Sequence, residues 1–229
     1  MNYLAIGLII IIGILLYYAY YYFTNTELTS GLQTLNQPIV KTYDQLKKNP
    51  NSYTYSYQCW LYISSPTSSS TTIFARGKPT PAHNNFEVVI NGQSLVLNAG
   101  TGDTNAPTKI MNITDSFPIQ KWTYLVINVY NLQTFEAYIN GKLAKTVNVP
   151  SAKSPVPTSK TSSLTIGNSG LNGYVTKFTR IDTTLDAQTV WNTYLKGNGL
   201  SNMFTSLIPY GLNMSISKGE DVQRVVKIF

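Results

Sequence analysis

The stretch Tyr53-Thr54-Tyr55-Ser56-Tyr57-Gln58-Cys59-Trp60-Leu61-Tyr62-Ile63 decides the fold class. Its odd positions are all aromatic or apolar, and its even positions mix hydroxyls and an amide with Trp60 and Tyr62. A period of two puts successive side chains on opposite faces of a strand. One face therefore reads as core and the other as mixed. Working outward, Phe86–Ile90 and Ser94–Asn98 flank Asn91-Gly92, while Phe135–Ile139 and Lys142–Val149 flank Asn140-Gly141. Asn-Gly reaches positive φ cheaply and marks tight hairpins. Trp122–Tyr130 is a long alternating strand, and Leu164–Ile166 and Tyr174–Ile181 are shorter candidates. Ala187–Lys196 is the clear soluble helix, with Asp186 placed to cap its start and Gly197 its end. Short strands separated by turn signals predict a mainly β, antiparallel sandwich over residues 52–200.

The flanks read differently. Tyr3 to Phe23 carries no charge. A helix of that length rises about 30 Å, enough to cross a bilayer core. Tyr17, Tyr18, Tyr20, Tyr21 and Tyr22 cluster at its end, as interfacial tyrosines do. A basic leader region and a small-residue cleavage site are lacking, which argues for a retained anchor over 1–23. Residues 24–51 read as a polar stalk, with Lys41, Lys47 and Lys48 placed near lipid headgroups. Residues 201–229 read as a C-terminal extension or arm, with a final strand around Val222 and Val225 after a turn at Lys218-Gly219.

Composition narrows the function. Among 229 residues, 43% are hydrophobic and 12% charged, which excludes disorder and a coiled coil. The net charge of +7 lies wholly beyond the apolar run. The basic residues are scattered, so no nucleic-acid partner is expected. Cys59 and His83 are single, which excludes an internal disulfide and a multi-histidine metal site.

Tyr57–Ile63, Ile73-Phe74-Ala75-Arg76-Gly77, Ile119–Val126, Glu136–Leu143, Leu164-Thr165-Ile166-Gly167 with Gly173-Tyr174-Val175, and Leu185–Gly197 occur in one order. Together they resemble the successive strand and helix motifs of concanavalin A-like, laminin G-type jelly rolls. With the tyrosine-rich anchor in front, the chain is similar to virion membrane and minor capsid proteins of large DNA viruses. That resemblance implies a membrane-anchored structural protein, in a virion membrane beneath or within a capsid, with neighbouring capsid or membrane proteins as partners. The alternative it implies is a surface lectin that binds glycans.

Glucanases of this fold carry two Glu and an Asp on one strand face. Glu27, Glu87, Glu136 and Glu220 are the only glutamates, and Glu136 has no acidic neighbour within three residues. A hydrolase with paired carboxylates is not expected. His83 lies in a Pro/Asn loop without an identifiable nucleophile, and Cys59 falls on the apolar strand face. Calcium needs about six to eight oxygens; Asn98, Asp103, Asn105 and distant Asp115 are a thin set, so no cofactor is expected. Alternation places Trp60, Tyr62, Tyr124, Asn128, Tyr130, Glu136 and Tyr138 on one face. Such a face suits a protein contact or sugar stacking. Equally, loops or the C-terminal arm can cover it, leaving core aromatics.

Overall fold

The computed structural model describes residues 3–24, 27–29, 31–46, 49–77, 85–100, 108–150, 160–200, 213–218 and 221–227, with side chains over 7–20 in the first segment and backbone alone in the last two. Two antiparallel six-stranded sheets face each other. The first runs in the order β1 (Gln33–Thr34), β12 (Gly173–Ile181), β3 (Tyr55–Ile63), β8 (Thr123–Tyr130), β9 (Thr134–Ile139), β10 (Lys142–Asn148). The second runs β2 (Ile39–Lys41), β11 (Ser163–Ile166), β4 (Thr67–Gly77), β5 (Phe86–Gly92), β6 (Ser94–Ala99), β7 (Thr108–Thr114). Helix α1 is Tyr3–Thr24 and helix α2 is Ala187–Leu195.

The core forms as the period of two requires. Tyr55, Tyr57, Cys59, Leu61 and Ile63 of β3 point inward with Leu125, Ile127 and Val129 of β8, against Phe74, Phe86, Val88, Ile90, Leu95 and Leu97 of the other sheet. Tyr57, Phe74, Phe86 and Phe178 form an aromatic knot with centroid separations from 5.0 to 6.0 Å. Asn140 (φ 51°) and Gly141 (φ 80°) make the expected tight turn between β9 and β10. Between β5 and β6 the turn is one residue farther on, at Gly92 (φ 60°) and Gln93, because Asn91 pairs with Ser94.

Residues 24–51 are not a stalk. Glu27 bridges Thr179, the Leu28 N–H donates to Phe178 O at 2.7 Å, and Thr29 Oγ1 accepts from Phe178 N at 3.1 Å. β1 then pairs with β12 and β2 with β11. Leu28, Leu35 and Leu46 are buried in the core. Edge strands of two and three residues are too short to show a period. Lys41 accordingly belongs to β2, opposite Leu164. The C-terminal segment holds two strands rather than one, β13 (Asn213–Lys218) and β14 (Asp221–Lys227), paired with each other and with neither large sheet.

Helix α1 has 22 residues, and its described side chains are exposed on every side. Among the described residues no helix is long and apolar enough to cross a membrane.

Because Leu35 is completely buried, Leu35→Ala should destabilise the sandwich by about 2–5 kcal/mol in denaturant unfolding. A stalk residue would show no such loss.

Candidate functional site

Strand register assembles the outer face of the first sheet. Trp60 lies opposite Tyr124, Ser56 opposite Asn128, Asn128 opposite Glu136, and Val126 opposite Tyr138. The expected residues do share one face. Most of it is covered, however, by helix α2 and the segment leading into it. Trp60, Tyr124 and Tyr138 are 6%, 2% and 5% exposed, and they form a second apolar cluster with Val126 and helix residue Val190. The Trp60 ring packs 5.3 Å from Tyr124 and stacks 5.7 Å from the helix residue Tyr194, and those two tyrosines are 6.5 Å apart.

The helix is held in place by local chemistry. Asp186 caps it, accepting from Thr189 N at 2.9 Å. Buried Asn128 accepts from Leu185 N at 3.1 Å and donates to Leu185 O at 2.7 Å, tying the approach of α2 to the sheet. Gly141 leaves room for the helix, since a Cβ there would lie 2.6 Å from Trp191 Cε3. Trp60, Tyr124, Asn128 and Tyr138 are therefore packing residues rather than an open binding surface. The amphipathic stripe of α2 needs an apolar face to cover, and these side chains supply it.

Glu136 and Tyr130 lie at the margin of that cover. Glu136 Oε2 accepts from Tyr130 Oη at 2.9 Å and Tyr138 Oη at 3.1 Å. Burial, then the Glu136 carboxylate, push the Tyr130 phenol upward and that of Tyr138 to about 12. Its hydrogen-bond partners here are phenols and an amide, not the second carboxyl that glycoside hydrolysis requires.

The uncovered part of the face is a row of three aromatics across β12, β3 and the start of β8. Tyr62 lies 6.2 Å from Tyr174, its register partner, and 5.6 Å from Trp122. Tyr174 is 40% exposed, and Tyr62 and Trp122 are half-buried. Beside the row lies a hollow of about 170 Å³, lined by Thr34, Asn36, Ser64, Asn172, Gly173 and Tyr174. Aromatic faces next to amides and hydroxyls can stack on and hydrogen-bond a polar ligand. Of the seven expected face residues, only Tyr62 belongs to this row. Trp122 shares the parity of Tyr124 but precedes the strand. Tyr174 could be placed only from the β3–β12 register. Thr34 and Asn36 come from the segment read as a stalk.

The remaining candidates have local explanations. Cys59 is buried, and burial pushes its thiol upward. The Asn98 amide donates to Glu87 at 3.0 Å, and Asp115 accepts from Asn112 and Ser94. Asp103, Asn105, His83, Lys47 and Lys48 lie outside the described residues, as do the side chains of Tyr21 and Tyr22. Among the described residues no group of three His, Cys, Asp or Glu is placed to hold a metal. Tyr17, Tyr18 and Tyr20 are exposed on α1.

The two facing sheets and the covering helix define a lectin-type jelly roll. The chain belongs to the concanavalin A-like lectin/glucanases superfamily, whose laminin G-type sequence model matches residues 36–198. The receptor-binding domain of botulinum neurotoxin mosaic serotype C/D is similar at a TM-score of 0.59 and 14% identity, over 74% of this chain and 43% of that one. The serotype D binding domain gives 0.57 and 14%, over 76% and 44%. A type C neurotoxin structure described by its interaction with two ganglioside molecules gives 0.53 and 18%, over 69% and 39%. This chain spans less than half the length of these structures, and at such identities the likeness is one of fold. No curated protein sequence matches the chain.

Trp60→Ala should cost about 3–5 kcal/mol of stability, whereas Tyr174→Ala should cost less than about 1 kcal/mol; equal losses in urea unfolding would contradict this division of the face. A raised tyrosine pKa favours the neutral phenol in the fold. Its contribution is complete below pH 10 and is lost as pH rises towards about 12. Tyr138→Phe should therefore flatten the fall in stability over that interval in pH-dependent unfolding.

Proposed function

We propose that this chain is a non-catalytic attachment protein, held to a membrane by α1 and binding a neighbour through its sandwich. The observation that carries this reading is the exposure of α1. Leu8, Ile9, Ile10 and Ile11 are 56%, 69%, 57% and 56% exposed, although consecutive helical residues point about 100° apart. An apolar helix whose described side chains are exposed on all sides needs another apolar environment, and lipid supplies it. Residues 25 and 26 alone separate α1 from the first sandwich contact at Glu27, so such an anchor would hold the domain close to headgroups. The described hydrogen bonds to the Glu136 carboxylate come from Tyr130, Tyr138 and Asn128, a setting that favours binding over catalysis.

The resemblance to virion membrane and minor capsid proteins of large DNA viruses supports a shell protein as the partner, with the sandwich as the tether between membrane and capsid. A second reading is a membrane-anchored lectin. It is favoured by the open Tyr174–Tyr62–Trp122 row beside the amide- and hydroxyl-lined hollow. The type C neurotoxin's interaction with gangliosides, and the complex of a related toxin binding domain with rat synaptotagmin II, make attachment a natural use of the fold.

Alkaline extraction of the native membrane or particle fraction should leave the chain with the lipid, and removal of residues 1–24 should release it. Recovery of the intact chain in the supernatant would refute the anchor. Cross-linking in the same fraction should join Lys142 and Lys145, both exposed on the edge strand β10, to one abundant shell protein. Self-links alone, where other complexes do cross-link, would reject the tether. Glycan-array binding lost on Trp122→Ala and Tyr174→Ala would then establish the lectin reading.

A further inference from the structure

Two arginines lie inside one end of the sandwich. Arg76 of β4 follows the inward-facing Phe74, and Arg180 of β12 follows the inward-facing Phe178. Each is 2% exposed. They are near enough for each charge to act on the other, and they lie among the aromatic side chains of β3. Arg180 is 5.4 Å from the centre of the Tyr55 ring.

Apart from a hydrogen bond between Arg180 and the Tyr57 side chain, the hydrogen bonds described for these guanidiniums go to main-chain carbonyls. Arg76 Nη1 donates to Pro50 O, and Arg180 Nη2 donates to Asn49 O at 3.1 Å and Pro50 O at 3.2 Å. Carbonyl oxygens satisfy donors without neutralising charge. The buried Tyr55 phenol is pushed further from ionisation, so it brings no negative charge. Arg76 Nε and Nη2 and Arg180 Nε and Nη1 are buried without a hydrogen-bond partner among the described residues.

This is a costly arrangement. Arginine stays charged in proteins. An unpaired buried cation loses hydration without an ionic return, and two side by side repel. Nε and Nη2 of Arg76 form one planar edge, the fork that binds two oxygens of a carboxylate, phosphate or sulfate at once. In this sandwich that whole edge is free, and its neighbour is a second guanidinium with two further nitrogens to offer.

We propose that Arg76 and Arg180 form an internal binding site for a small inorganic oxoanion of the phosphate or sulfate class. The anion would take the unpaired Arg76 edge and one of the unpaired nitrogens of Arg180. It would neutralise the pair and so strengthen the grip of both arginines on the Asn49-Pro50 carbonyls, which close that end of the core. The site is independent of the open aromatic row and of the membrane reading.

The test is thermal unfolding of the full chain in non-ionic detergent. Phosphate, sulfate or chloride is titrated at constant ionic strength against gluconate. Phosphate or sulfate should raise Tm with the logarithm of its concentration above the dissociation constant, by about 5–10 °C at a hundredfold excess over that constant. For an anion retained through dialysis, denaturing the gluconate-dialysed chain should release about one phosphate or sulfate per chain, measured by ion chromatography. Arg76→Lys keeps the charge but loses the planar edge, so half-saturation should move up about tenfold. If that variant does not fold, the wild-type measurements decide alone. A rise linear in concentration and in salting-out order, or none, together with no released oxoanion would overturn the site. A logarithmic rise with chloride equal to that with phosphate would overturn the oxoanion assignment.

Discussion

Strand β3 is covered on both faces along most of its length. Its odd positions fill the space between the sheets, and on the other side Trp60 is covered by α2 while Ser56 is completely buried, its hydroxyl donating to Thr183 O at 3.0 Å. A strand buried on both sides needs three layers of structure, so the sandwich cannot be finished by its two sheets alone. The third layer is α2, held by the Asn128–Leu185 hydrogen bonds and seated against Gly141. These contacts join β3, β8, the β9–β10 turn and the helix, and they settle which aromatics are packed and which reach solvent.

The surface that remains follows from that cover. Helix α2 has 9 residues, about 14 Å of length, and it leaves the Tyr174–Tyr62–Trp122 end of the face open. β1 and β12 bring Thr34 and Gly173 to the same end, and the loops beside them add Asn36, Ser64 and Asn172. Apolar stacking surface and small polar side chains thus converge where no helix covers them. At the other extreme of the sheet, β10 is an edge strand with Lys142 and Lys145 exposed, and charge of that kind discourages unintended strand pairing.

The sheet core was legible because burial on one side of a strand imposes a period of two. The Asn140-Gly141 turn and the capped α2 were legible because they rest on local backbone chemistry. β1 and β2 were not. A strand of two or three residues shows no alternation, and Leu28, Leu35 and Leu46 are single apolar residues in polar surroundings. Alternation also grouped Trp60, Tyr124, Asn128 and Tyr138 with Tyr62 on one face. It could not separate them, because α2 lies more than 40 residues beyond the last of these positions and its docking is a long-range event.

The sequence by itself determined a mainly β sandwich, one capped helix, the face on which the residues of the long alternating strands lie, and an uncharged N-terminal helix. Local periodicity and turn chemistry depend on neighbours along the chain, so they can be read from it. Only the tertiary structure decided that residues 27–46 complete the two sheets, that a helix covers most of the aromatic face, and that Arg76 and Arg180 meet inside. Each depends on strand register and on packing between distant segments, where a single residue of slip would turn every side chain to the opposite face.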